Sequence, residues 1–316
     1  MVKGILNRTV NVLSESYKSI EERDEEKLLS GSIMIELKRS LWESDKPFMP
    51  DTWDEFGFKI FSQSNEDGLI QYLIRKIDIP NKVFIEFGCS NYRECNTRFL
   101  LMHDYWDGFV MDGSEDNIKS IVDSSIYWKH NLTAVSAFIT KENINELLMK
   151  SGFLEDIGIL SIDIDGNDYW VWNEIDCINP RIIICEYNPI FGSKCCVSVP
   201  YKEDFYRTEA HYSNLYWGAS LGAYVHLAKK KGYRLVCINQ MAHNAFFVRN
   251  DVGLCLEEVS VDQAYRTPKY RESRNENGEL TYLGQKEGIE LIKEMPVVDV
   301  LSGQERTIKE CLNECI

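Results

Sequence analysis

Four apolar runs in this 316-residue chain stop at acidic or amide side chains. Val83-Phe84-Ile85-Glu86-Phe87 leads into Gly88-Cys89-Ser90-Asn91, and Phe109-Val110-Met111 into Asp112-Gly113-Ser114. A third run ends in Asp163-Ile164-Asp165 and a fourth in Glu186-Tyr187-Asn188. Carboxylates are costly to bury in an apolar core, so acids recurring where apolar runs stop suit a site on one edge of a sheet. Gly88 lets the backbone approach a ligand closely. Asp112 could accept both hydroxyls of a ribose, because an ionised carboxylate offers two acceptor oxygens. That chemistry serves nicotinamide and sulfonium nucleosides alike, and the bland alternative is a pair of solvated strand ends. The GxGxxG fingerprint of a pyrophosphate cradle is missing, since only Gly88 of it is present. A phosphate-free nucleoside needs no such cradle.

The second pair of runs carries the acid–base possibilities. Alternation along a strand sends Asp163 and Asp165 to one face, and Glu186 and Asn188 share that spacing. Up to three carboxylates and an amide could converge. A carboxylate beside an acceptor hydroxyl could act as general base. Alternatively Asp165, Glu186 and Asn188 could hold Mg2+ or Mn2+, which would orient a diol and lower its pKa. The plain alternative is that these acids orient a cofactor and cap helices. Asp168 opens the next helix and suits its first turn. Of the five histidines, His226 sits inside a helical segment and His103 beside Asp104 on another. His211 and His243 fall in loops, where either could take a proton near neutrality or merely be exposed. Tyr169-Trp170-Val171-Trp172 and Tyr216-Trp217 could shield a sulfonium, although at helical spacing such residues more commonly pack.

The elements that must position these groups alternate in type. Residues 1–45 read as a polar helical appendage, suited to a homo-oligomer contact, and Pro47-Phe48-Met49-Pro50 breaks it. Ser64-Asn65-Glu66-Asp67 precedes an N-capped helix, Leu69 to Ile77. Strands are expected at Val83–Phe87, Phe109–Asp112, Leu132–Ile139, Ile157–Asp165 and Arg181–Tyr187, with helices between them. A long helix, Leu215–Lys231, precedes two closing strands, Tyr233–Asn239 and Ala245–Arg249, whose short connection suits an antiparallel pair. Alternating strands and helices imply a mostly parallel sheet covered on both faces. Ligands bind such sheets outside the carboxyl ends of the strands. Arg266–Gly278 reads as an exposed loop, and Glu287–Glu294 and Gln304–Glu314 as helices. The organisation expected is an appendage over 1–50, a catalytic domain over 51–256 and an extension over 257–316 packing on the core.

Composition narrows the partners. The formal charge is −15, which opposes nucleic-acid backbones. The one basic run, Lys229-Lys230-Lys231, ends a helix, where cations offset the dipole. A small anionic substrate stays compatible, because a few local cations outweigh a distant net charge. Ten cysteines with no CxxC pair suit neither zinc nor a disulfide framework, which points to a reducing, cytoplasmic setting. No apolar run reaches the roughly 20 residues of a membrane span.

The sequence also resembles a known family. Phe61-Ser62-Gln63-Ser64-Asn65-Glu66-Asp67-Gly68 ahead of Phe84-Ile85-Glu86-Phe87-Gly88 looks like the opening of FkbM-like methyltransferases that use S-adenosylmethionine (SAM). It is closer still to methyltransferase-like proteins of bacterial capsule and surface-polysaccharide clusters. Met111–Ser114, Ala137–Asn145, Leu160–Trp170, Glu186–Asn188, Gly218–Leu221 and Asn244–Arg249 continue the likeness in collinear order. It runs from about Phe61 to Arg249. The resemblance implies a Rossmann-like, seven-stranded class I methyltransferase sheet. It implies Glu86 and Gly88, with the Asn91 loop, near the methionine and ribose of SAM. It implies Asp112, with Gly113 and Ser114, on the ribose, Ala137 and Phe138 near the adenine, and Gln63 and Glu66 covering the cofactor, with Asp163 beside it. The activity implied is O-methylation of a sugar hydroxyl on a nucleotide-linked or otherwise activated precursor, with Asp165, Glu186, His211 or His243 as catalytic groups. The rivals are a glycosyltransferase built on the DxD-like Asp163-Ile164-Asp165, a nicotinamide oxidoreductase that the missing fingerprint disfavours, and a non-catalytic scaffold.

Overall fold

The computed structural model describes residues 2–268 and 272–314. Ten strands follow in chain order: β1 Val83–Phe87, β2 Asp107–Asp112, β3 Leu132–Ser136, β4 Ile159–Ile162, β5 Ile182–Glu186, β6 Val197–Ser198, β7 Tyr233–Ile238, β8 Asn244–Arg249, β9 Pro296–Asp299 and β10 Gln304–Thr307. Seven form one sheet in the order β3-β2-β1-β4-β5-β8-β7, and β10-β9-β6 form a second. In the large sheet β1 to β5 pair in parallel. β8 runs antiparallel to β5 and to β7. Every residue of β4 is buried, as are Ile182 to Cys185 of β5. That is why these strands read as continuous apolar runs, since helices cover both faces of a parallel sheet. The fold is a doubly wound, Rossmann-like, mostly parallel α/β sheet. Its strand order reverses between β1 and β4, and a ligand crevice opens at such a switch point beyond the carboxyl ends of the strands.

A 41-residue helix, Val2–Trp42, precedes the sheet. At about 1.5 Å per residue it is roughly 60 Å long. Its C-terminal half joins the core through Ile35 and Trp42, and Asp24 pairs with Arg98 at 2.6 Å. A second, smaller core joins Val197, Val199 and Tyr216 to Ile292, Val297 and Ile308. The last part of the chain is therefore bound to the segment after β5 by β6–β9 pairing and by apolar contact.

Several expected boundaries moved. The third strand stops at Ser136 rather than Ile139, where Asn143 takes over by bonding Phe138 O and Thr140 N. The fourth stops at Ile162, and Asp165 adopts a left-handed φ of 58°. Strand alternation therefore does not place Asp163 beside Asp165; a turn does. Buried Asp168 ties that turn, accepting Ile164 N and Gly166 N at 2.8 Å each. The long helix begins at Leu221, because Ser220 caps it by accepting Ala223 N. Gln304–Thr307 is strand rather than helix, since it pairs with β9. Of the expected loop over 266–278, residues 269–271 lie outside the described residues. Its other parts are anchored, with Arg266 bonded to Asp54 and Ser273 fully buried.

Candidate active site

A cavity of about 650 Å³ opens at the carboxyl ends of β1, β2, β4 and β5. One half is lined by Gln63, Gly88, Ser90, Asp112, Gly113, Asn117 and Ala137 to Ile139. At its foot Gly88 bends the chain with φ +67°, and a Cβ there would lie 1.5 Å from the Asp163 carbonyl oxygen. Only glycine allows β1 and β4 to approach so closely. Asp112 leaves the end of β2 with both oxygens engaged by its surroundings. Oδ2 accepts Ser90 N at 2.7 Å, and Oδ1 accepts Ser114 N at 2.9 Å and Asn117 Nδ2 at 3.0 Å. Three of its roughly four acceptor sites are therefore taken, which leaves Oδ2 room for one ribose hydroxyl.

Asp163, Asp165 and Glu186 form the floor beyond it. Each offers an oxygen within 4.8 Å of the others. Burial first, and neighbouring carboxylates second, push Asp163 and Glu186 well above the usual carboxylate range. Glu186 Oε2 is buried without a hydrogen-bond partner. Asp165 pairs with Arg207 at 3.0 Å. Asn188 lines the cavity, but its amide is committed: Nδ2 donates to Leu215 O and Trp217 O, and Oδ1 accepts Ile190 N. The possible metal set is therefore Asp163, Asp165 and Glu186 in place of Asp165, Glu186 and Asn188. His243 lines the same cavity, and burial holds its imidazole below the ordinary pKa, despite Glu66 nearby.

The cavity gathers Gln63, Gly88, Asp112, Gly113, Ala137, Phe138, Asp163, Asp165, Glu186, Asn188 and His243. Five expected residues lie off it. Glu86 turns to the loop after β1, where it accepts Asn96 N, Thr97 N and the Thr97 hydroxyl. Glu66 is fully buried, accepting Asn239 Nδ2 at 2.6 Å, Asn244 Nδ2 at 3.0 Å and Ser64 N at 2.7 Å. These acids shape the walls from behind. Asn91 accepts Arg93 N, and Ser114 caps the helix Glu115–Val122. His211 bonds Ser213 instead, and burial lowers its pKa. Among the aromatics, Trp172 is buried and stacked on Tyr224, whereas Trp217 lines the cavity beneath Arg207, 4.6 Å from ring to guanidinium.

Sequence reasoning missed the roof and the far wall. Phe205, Tyr206, Arg207 and Thr208 cross the opening, with Tyr206 against Phe138 at 5.4 Å between ring centroids. Arg207 joins Asp165 to Glu272. Glu272, Ser273, Leu283 and Gln285 close the end away from Asp112. The one readable signal was Arg207 itself, an arginine in an aperiodic polar stretch.

No family model and no curated protein matches the chain. Solved structures do. The chain is similar to MccD protein at 16% identity, covering 54% of this chain and 72% of that one, with a TM-score of 0.34. It is similar to an S-adenosylmethionine-dependent methyltransferase from Clostridium acetobutylicum ATCC 824 at 7% identity, covering 69% and 98%, with a TM-score of 0.36. The N-terminal domain of EvdMO1, solved with S-adenosylhomocysteine (SAH) bound, aligns at 10% identity over 67% and 94%, with a TM-score of 0.38. Likeness this loose carries neither substrate nor residue roles across. Among the described residues, no helix is long and apolar enough to cross a membrane.

Proposed function

We propose that the chain transfers a methyl group from SAM to a hydroxyl of a sugar. The observation that carries the reading is the pairing of Asp112 with the Gly88 gap in a cavity whose cofactor half contains no cation among its described lining residues. A dinucleotide would bring a diphosphate to that half. SAM brings a ribose hydroxyl for Asp112 Oδ2 and no phosphate, with the adenine beside Phe138 and Ile139. Methyl transfer is an in-line displacement from a neutral leaving thioether, so alignment is the main task. The acceptor hydroxyl is assigned to Asp163 and Glu186, whose carboxyls line the same cavity. Burial and mutual repulsion push both carboxyls well above the usual range, so the unprotonated member of the pair receives the proton. The sequence resemblance adds a surface-polysaccharide precursor, nucleotide-linked or otherwise activated, as the source of the sugar.

A metal-assisted version rests on the same three carboxylates. An all-oxygen set with one unpartnered buried oxygen fits Mg2+ or Mn2+. Bound there, the ion would lower the pKa of the acceptor hydroxyl. Turnover that survives EDTA undiminished removes it.

A thermal-shift titration with SAM, SAH and NAD tests the cofactor. A ligand at about 100 times its dissociation constant stabilises by about 2.7 kcal/mol. A shift with NAD and none with SAM or SAH overturns the reading, and hydrolysis of a nucleotide sugar without SAM supports a glycosyltransferase instead. Glu186→Gln should abolish turnover while SAH affinity is kept.

A further inference from the structure

Resting on the methyl-transfer reading, we infer that the acceptor is an oligosaccharide, and that an open cleft beside the cavity holds the sugar next to the one methylated. The cleft measures about 380 Å³, and Tyr212, Asn277, Thr281, Leu283 and Leu291 are among its lining residues. Two stretches of chain serve both depressions. Tyr212 lines the cleft, while Asn214 and Leu215 line the cavity. Thr281 lines the cleft, while Ser273 lines the cavity. The Ser273 hydroxyl joins them, accepting the Thr281 hydroxyl at 2.9 Å and Leu283 N at 2.8 Å. Leu283 itself lines both. At that point the two are one side chain apart, close enough for consecutive units of one sugar chain.

Backbone bonds hold the cleft in shape. Arg274 and Leu280 form an antiparallel bridge, and Thr281 N donates to Ser273 O at 2.8 Å. Arg274 N donates to Ser213 O at 3.1 Å, which ties this hairpin to the Tyr212 stretch. Asn275 Oδ1 closes the tip by accepting Asn277 N and Glu279 N at 3.0 Å each. A ligand there meets groups already ordered, which lowers the cost of binding. The chemistry matches a sugar. A pyranose carries C–H groups on its faces and hydroxyls around its edge. Tyr212 is 41% exposed, with its ring 4.4 Å from that of His211, so it offers a supported aromatic surface with a polar tip. Leu283 and Leu291 extend the apolar lining, and the exposed Asn277 amide can both donate and accept. The crossing between cavity and cleft is the Leu283 side chain. A glycosidic oxygen passes it without charge, whereas a diphosphate would exchange water for hydrocarbon there, at the cost of desolvating charge. A sugar chain therefore fits the pair of depressions better than a sugar carried on a nucleotide.

The test is an array of bacterial glycans, from mono- to hexasaccharides, probed with full-length protein saturated with SAH. UDP-glucose and GDP-mannose serve as soluble competitors. The best-bound oligosaccharides should be held at least about tenfold more tightly than their own terminal monosaccharides. The double variant Tyr212→Ala with Asn277→Ala should lose that preference and keep the SAH affinity of the parent, which also shows that it folds. Four results overturn the inference: retention of no glycan, a monosaccharide held as tightly as its oligomers, displacement by either nucleotide sugar at lower concentration than by the free oligosaccharide, or a preference that survives the double variant. Failure of SAH itself to bind the parent protein would instead sink the methyl-transfer reading and leave the acceptor question without a premise.

Discussion

Gly88→Ala separates two physical costs that usually arrive together. At Gly88 the backbone has φ +67°, and an added Cβ would sit 1.5 Å from Asp163 O and 2.7 Å from its carbonyl carbon. A left-handed φ with a Cβ costs about 1–2 kcal/mol. The collision is with backbone, not with a side chain that can swing away, so β4 must move; overpacking of this kind costs about 1–3 kcal/mol. Together they predict a loss of about 2–5 kcal/mol. Two other glycines supply the controls. Gly232 ends the helix Leu221–Lys231 with φ +85° and nothing within 4 Å of its would-be Cβ, so Gly232→Ala should cost only the first term. Gly113 lines the cavity, has no left-handed φ, and its Cβ would meet Phe138 at 3.7 Å, an ordinary contact; Gly113→Ala should stay within about 0.5 kcal/mol. The assay is urea unfolding of all three, followed by SAH titration. At about 2–4 °C per kcal/mol, Gly88→Ala should also melt roughly 4–20 °C lower. Its SAH affinity should fall, because the displaced Asp163 end of β4 lines the same cavity, while that of Gly232→Ala should not. If Gly88→Ala is no less stable than Gly232→Ala, the close approach of β1 to β4 is not what the glycine serves.

Further expectations follow from other residues. Asp112→Ala removes the ribose acceptor and should weaken SAH about 10–100-fold, the loss of one or two charge-assisted hydrogen bonds; calorimetry showing unchanged affinity would take Asp112 out of the cofactor half. Burial raises Asp67 and Asp168 from the ordinary 3.8 to about 6, so the fold holds these protons more tightly than the unfolded chain does. Their stabilising contribution is therefore fully present below pH 4, is lost as pH rises through about 6, and is flat above that. At most roughly 3 kcal/mol is involved per group. Asp168→Asn should shrink the decline in urea stability between pH 4 and 7, and a profile superimposable on the parent's would contradict it. Tyr206→Ala removes the ring contact with Phe138 across the roof, worth about 0.5–1.5 kcal/mol; stopped-flow release of SAH should quicken about 2–10-fold, and an unchanged rate would mean the roof does not gate the cofactor.

How much was legible beforehand depended on whether a residue's partners lie close in sequence. Ile182-Ile183-Ile184-Cys185 could be read as a strand because burial on both faces leaves an unbroken apolar run. Ser220 and Gly232, which bracket a helix by local rules, were legible in principle, although the apolar run ahead of Leu221 concealed the cap. Glu86 and Asp163 look alike in sequence, each an acid near a strand end. Only tertiary structure turns one toward Asn96 and Thr97 and the other toward the cavity. Glu66 could not be placed, because the amides that hold it lie at Asn239 and Asn244. Asp165 was placed correctly beside Asp163 for the wrong local reason, a strand where there is a turn. β10 read as helix because its pairing with β9 outweighs a polar, helix-compatible sequence.

The far wall is carried by the same stretch of chain that closes the second core and contributes β9. Gly88 and Asp112 lie on the other sheet and share no strand with it. Substitutions confined to Glu272, Ser273, Leu283 and Gln285 would therefore reshape one wall of the cavity and leave the Gly88 turn and the Asp112 contacts as they are.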